Sequence, residues 1–139
     1  MALQFITKDI LTRTSGAALL ELPYDVAFTA GFDKDMVAED VVVATYGELV
    51  MARPGTFTGE VGYVGTAPVG SVLQVDVFKN GTTIYASTKP QFAAGSTALT
   101  AGVLTVTTFG ANDRITFKVT AIGSSTVGKG VRFTLKGKV

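Results

Sequence analysis

The sequence predicts an all-β protein: a single antiparallel β-sandwich or jelly roll with an extended N-terminal arm. Threonine, valine and glycine dominate the composition, and these residues favour pleated strands and tight turns over helices. Short segments of alternating apolar and polar residues recur along the chain, separated by turn residues. No helical pattern separates them, as a parallel sheet would require, and 139 residues is the length of one domain.

Residues 1–20 are predicted to form an arm ahead of a sandwich domain that spans residues 21–139. An apolar start is joined to the domain through a polar stretch that contains Thr12 and Ser15. One interpretation is that Leu3 to Ile6 add a strand to the same domain, because apolar termini are usually tied down locally. The other is that the arm docks on a neighbouring subunit. The candidate docking residues are Leu3, Phe5, Ile6 and Ile10.

The first strand of the domain is predicted over residues 24–29, where apolar and polar residues alternate. Residues 33–45 are predicted to form a loop with a short turn, because three consecutive valines are too β-branched to continue a helix. This loop has an acidic Asp-x-Asp start, but it lacks the glycine and the terminal glutamate of an EF-hand loop, so we expect no metal there. Its acidic residues are Asp33, Asp35, Glu39 and Asp40.

Two further strands are predicted over residues 48–53 and 57–64, on either side of an Arg-Pro-Gly turn. In the second of these strands, strict alternation places Phe57, Val61 and Tyr63 on one side.

Residues 71–87 are expected to form a hairpin around Asn80 and Gly81, because these two residues tolerate the positive φ angles of a type I′ turn. In the first strand of this hairpin, Asp76 lies between two valines. We therefore expect its side chain to face solvent.

The last strands are predicted over residues 103–109, 114–121 and 131–136. In the strand at 114–121, Ile115, Phe117 and Val119 alternate with polar residues, which gives it one core face and one solvent face.

Composition also restricts the function. The chain has no cysteine and no histidine, which excludes disulfide scaffolds, cysteine nucleophiles and histidine-based triads, and we expect neither enzymatic activity nor a cofactor. A net charge of +1 with scattered basic residues does not favour nucleic acid or a membrane surface as partner. No signal-peptide pattern is present, so we expect synthesis in the cytoplasm.

The four tyrosines could stack on sugar rings, as amphipathic aromatic residues often do at binding surfaces. The alternative, which we favour, is that most of them belong to the core or its rim. These residues are Tyr24, Tyr46, Tyr63 and Tyr85.

Several motifs occur in an order and spacing that resemble a β-sandwich module of tailed-bacteriophage virion proteins. The resemblance covers residues 20–139 and rests on a Tyr-Asp-Val-Ala-Phe strand, a Thr-Ala-Pro-Val-Gly turn and an Asp-Val-Phe-Lys-Asn-Gly hairpin. These motifs lie at residues 24–28, 66–70 and 76–81.

The resemblance implies a structural virion protein, mostly found as a homotrimer, in head-decoration proteins, head fibres or tail-fibre tips. We favour a capsid decoration protein that binds the outside of the phage head, contacts the major capsid protein and stabilises the lattice. We favour this role because a tail fibre needs a shaft, and the chain has neither coiled-coil heptads nor repeats that would form one. The alternative is a receptor- or carbohydrate-binding module of a tail or head fibre, with a host-surface glycan as partner.

Overall fold

A computed structural model describes residues 21–139, and these residues form ten β-strands. They contain no helix, and so none that is long and apolar enough to cross a membrane. The predicted arm, with Leu3, Phe5, Ile6 and Ile10, lies outside the described residues. The strands are β1 (Val26–Ala30), β2 (Ala44–Val50), β3 (Gly55–Thr66), β4 (Leu73–Lys79), β5 (Thr82–Thr83), β6 (Gln91–Phe92), β7 (Leu99–Thr100), β8 (Thr108–Phe109), β9 (Arg114–Ile122) and β10 (Lys129–Lys138).

The strands form two antiparallel sheets that pack face to face, which confirms the predicted all-β sandwich. The four-stranded sheet has the order β1-β10-β3-β8. The six-stranded sheet has the order β2-β9-β4-β6-β7, with β5 also paired to β4. Both termini of the described body lie at one end, where the amide and carbonyl of Leu22 pair with those of Val139 at 2.9 Å.

The core lies between the sheets and is built from the inward-facing residues of the long strands. Phe117 of β9 packs against Phe133 of β10 with ring centroids 5.1 Å apart, and against Phe28 of β1 at 5.2 Å. All three side chains are buried. Aromatic pairs at this separation add to the burial of their apolar area. The regular alternation predicted for β9 and β10 therefore holds.

The predicted type I′ turn is present, since Asn80 and Gly81 have φ angles of 51° and 88°. Its second strand is shorter than predicted, because regular pairing with β4 ends at Thr83. The predicted strand at 103–109 is also reduced, to Thr108–Phe109. The backbone amides of Val103, Thr105 and Val106 donate to carbonyls of Ile84 and Thr88, which lie in a segment that is not a strand.

The prediction that Phe57, Val61 and Tyr63 share one side of a strand is wrong. The register of β3 against β10 shifts near Gly59, whose φ is 132°. Such a bulge inserts one residue and reverses which face later side chains occupy. Phe57 is buried, whereas Val61 and Tyr63 are about half exposed, at 52% and 50%.

Candidate functional site

The outer face of the six-stranded sheet carries polar side chains from three neighbouring strands. Strand pairing aligns Glu48 of β2, Thr116 of β9 and Phe78 of β4 in one row across the sheet. The next row contains Thr45 of β2, Lys118 of β9 and Asp76 of β4. Because directly paired residues share a face, these side chains form one continuous surface.

An open cavity of about 320 Å³ lies on this surface. It extends from the middle of the three strands to the β4–β5 turn. Its lining combines one aromatic ring, two cations, one carboxylate and two hydroxyls. The lining residues are Thr45, Glu48, Phe78, Gly81, Arg114, Thr116 and Lys118.

The cationic groups of the cavity have no carboxylate partner among residues 21–139, where no ion pair involves Arg114 or Lys118. The Lys118 ammonium instead lies over the Phe78 ring, 4.3 Å from its centroid. The carboxylate of Glu48 accepts a 2.9 Å hydrogen bond from the Thr116 hydroxyl. The cavity therefore presents positive charge together with hydrogen-bond acceptors and donors.

Asp76 lies on the outer face of β4, opposite Val75 and Val77, but it is not exposed to solvent as the sequence predicted. The carboxylate is buried, accepts a 2.5 Å hydrogen bond from the Thr83 hydroxyl, and lies 3.2 Å from the Lys89 ammonium. After Thr83 the chain leaves the sheet and returns with Lys89 over this position. Alternation within β4 could not show this contact, because the covering lysine comes from an irregular segment.

A buried pair at Glu60 and Tyr85 was missed by the sequence analysis. Glu60 faces inward on β3 after the bulge and accepts hydrogen bonds from the Tyr85 hydroxyl at 3.0 Å and the Gly102 amide at 2.6 Å. Burial raises the pKa of Tyr85 well above its ordinary value, and the neighbouring Glu60 charge raises it further. Both side chains are satisfied internally, so the pair fastens residues 85–102 to β3.

The tyrosines considered as sugar-stacking residues are not brought together. The hydroxyls of Tyr24 and Tyr46 accept hydrogen bonds from the amides of Ala52 and Val42, and both rings pack against the core. Tyr85 is buried. Tyr63 alone among the four is half exposed, on the outer face of the four-stranded sheet.

The acidic loop is organised by its own side chains. The Asp33 carboxylate accepts hydrogen bonds from the amides of Asp35 and Val37 at 2.8 and 2.9 Å and closes the predicted short turn. Within residues 21–139, no cluster of three or more histidine, cysteine, aspartate or glutamate side chains is arranged to hold a metal ion.

A second candidate surface is the outer edge of β1, which has no backbone partner among the described residues. The amide of Tyr24 bonds to Gly137 at 2.8 Å, and Val26 to Ala30 continue the same pairing. By alternation, the backbone groups of Ala27 and Thr29 point to the open edge. Both residues are exposed and uncharged. This part of the edge therefore lacks the charged residues and prolines that usually keep an edge strand from pairing with another chain.

Comparison with protein-family models and with curated protein sequences found no match to this chain.

Proposed function

We propose that the protein is a structural virion subunit, a capsid decoration protein that binds the outside of a phage head and stabilises the capsid lattice. The support is the order of the sequence motifs, which resembles virion sandwich modules, together with the sandwich fold. The major capsid protein is the proposed partner, and a homotrimer the proposed state.

The observation that carries the proposal is the open edge of β1, the first strand after the predicted arm in the sequence. Residues 1–20 precede β1 in the sequence, and the backbone of this strand at Ala27 and Thr29 is unpaired on its outer side among the described residues. An extended segment added to such an edge gains main-chain hydrogen bonds without requiring particular side chains. One molecule thus combines an apolar docking segment with an acceptor edge for a neighbour.

Such contacts are individually modest. Burial of apolar arm residues such as Leu3 and Phe5 contributes about 25 cal/mol for each Å² removed from water. A trimer engages several capsid subunits at once, and the linked binding events raise retention far above that of a single contact. This is how a small subunit with a short arm would hold a lattice together.

Immunogold electron microscopy of the particles that carry the protein tests the proposal. We expect gold spread over the icosahedral heads. Gold confined to a tail tip or fibre would overturn the decoration proposal in favour of receptor or glycan binding. Unlabelled particles would overturn any virion function.

A further inference from the structure

We propose that the cavity on the outer face of β2, β9 and β4 binds an acidic saccharide through Arg114 and Lys118. This site is independent of the capsid proposal, because it lies on the other sheet from the β1 edge and uses no residue of the arm. A decoration protein and a fibre module could each carry it.

The two cations are spaced for a ligand with separated polar groups. Arg114 and Lys118 lie four residues apart on one face of β9, with Thr116 between them. Four residues of a strand span about 13 Å, so the two side chains stand at opposite ends of the cavity. At about 320 Å³, the cavity is at the small end of ligand sites, which suits one or two sugar rings.

Phe78 holds Lys118 in place for such a ligand. Its ring lies under the ammonium at 4.3 Å, and that contact fixes the charge above the cavity instead of leaving it to move in solvent. The nearby Asp76 does not neutralise Lys118, because its carboxylate is already engaged by Thr83 and Lys89. Lys118 therefore keeps its charge available for a ligand carboxylate.

Glu48 favours a saccharide over a simple anion. A carboxylate in the wall of the cavity repels phosphate, whereas it accepts hydrogen bonds from sugar hydroxyls. The Thr45 hydroxyl adds a donor and an acceptor on the same surface, and the Thr116 hydroxyl, whose hydrogen goes to Glu48, adds an acceptor. The combination of two cations, one acceptor and two hydroxyls matches a ring that bears both a carboxylate and several hydroxyl groups.

Binding is measured by calorimetric and NMR titration of the full chain with oligogalacturonate, alginate oligomers and sialyllactose. Neutral oligosaccharides of matched length and inorganic phosphate serve as ligand controls. We expect binding to at least one acidic saccharide, with amide shifts centred on β9 and little binding of the neutral sugars. Phosphate that binds as tightly as the saccharides overturns the saccharide assignment, and so does the absence of binding to all three acidic saccharides.

Variants locate the site. Arg114→Gln and Lys118→Gln should each weaken binding about tenfold, the loss of one charge-assisted contact. Phe78→Leu should weaken it less, because the ammonium remains but loses its support. Arg132→Gln is the matched control, since Arg132 is an exposed arginine on the outer face of the other sheet. Equal weakening by Arg132→Gln would show general charge attraction and overturn the site. An unchanged thermal unfolding temperature shows that each variant is folded.

Discussion

The hydroxyl of Tyr85 donates a 3.0 Å hydrogen bond to the carboxylate of Glu60 inside the sandwich, although the two residues are 25 positions apart in the chain. The other Glu60 oxygen accepts from the Gly102 amide. One buried carboxylate thus connects β3 to both ends of residues 85–102. Within this segment only the two-residue strands β6 and β7 are regular.

Removing this tyrosine hydroxyl should destabilise the fold. In Tyr85→Phe the buried Glu60 loses one of its two donors, which costs about 1 to 3 kcal/mol of the free energy of unfolding. Urea unfolding measures the change. Tyr63→Phe is the control, because the Tyr63 ring is half exposed. Equal stability of Tyr85→Phe and wild type would contradict the role given to this pair.

Stability should fall at alkaline pH because of the same tyrosine. Burial, and then the Glu60 charge, raise the pKa of Tyr85 above its ordinary value of 10.0. Above about pH 10 the unfolded chain loses this proton while the folded chain keeps it. The free energy of unfolding then decreases by up to about 1.4 kcal/mol per pH unit, and the contribution is fully present below that range. Urea titrations from about pH 8 to about pH 11 should show a steeper loss for wild type than for Tyr85→Phe, whereas parallel curves would contradict the assignment.

The turn at Asn80 should depend on its side chain as well as its backbone. The amide group of Asn80 donates to Asp113 at 2.8 Å, and its carbonyl accepts from the Arg114 amide at 2.9 Å. Asn80→Ala loses both bonds and places alanine at a φ of 51°, which together cost about 2 kcal/mol. Asn80→Gly tolerates that φ, so it should cost less.

A second measurement separates the hydrogen bond from the turn. Hydrogen bonds from the Gly110 amide and then from Asn80 hold the pKa of Asp113 below its usual 3.8. Both Asn80 variants should therefore raise the Asp113 pKa toward that value, as followed by NMR titration of its carboxyl carbon. An unchanged Asp113 pKa in both would show that the Asn80 contact has no effect on the carboxylate.

Lys89 should matter more than any surface lysine. Lys89→Met leaves the Asp76 carboxylate, 7% exposed, without its cation, and we expect a loss of about 3 kcal/mol in chemical denaturation. The double variant with Asp76→Asn should recover part of that loss. Lys34→Met is the matched control, because the Lys34–Asp35 pair is largely exposed and such pairs contribute less than about 1 kcal/mol. Similar losses for the two lysines would contradict the buried pair.

Deleting residues 2–15 should leave the sandwich folded and abolish attachment to heads. The deletion removes the apolar residues Leu3, Phe5, Ile6 and Ile10 but ends before β1. Thermal unfolding checks the fold, and co-sedimentation with heads that lack the protein checks attachment, with the full chain as control. A truncated protein that still decorates heads, or that unfolds, would show that the arm is not the docking element.

The sequence predicted the fold where alternation is regular, as in β9 and β10, because each strand there keeps one buried face. It did not predict the face change after Gly59, since a bulge leaves no mark on the hydrophobic pattern other than a permissive glycine. The candidate cavity was missed for a related reason. Glu48, Phe78 and Lys118 come together only through the alignment of β2 and β4 with β9. The alternation of residues within one strand does not show how that strand is aligned with its neighbours.

The pairing of Leu22 with Val139 makes the two ends of the sandwich different, because the chain enters and leaves the domain at the same end. Any polypeptide fused behind Val139 would therefore leave the domain beside the point where the chain enters it at Leu22. The turn at Lys34 and Asp35 follows the end of β1, where Ala30 pairs with Val131 of β10, and so lies toward the opposite end of the sandwich. A peptide grafted between those two residues would therefore be displayed at the end of the sandwich away from Leu22 and Val139.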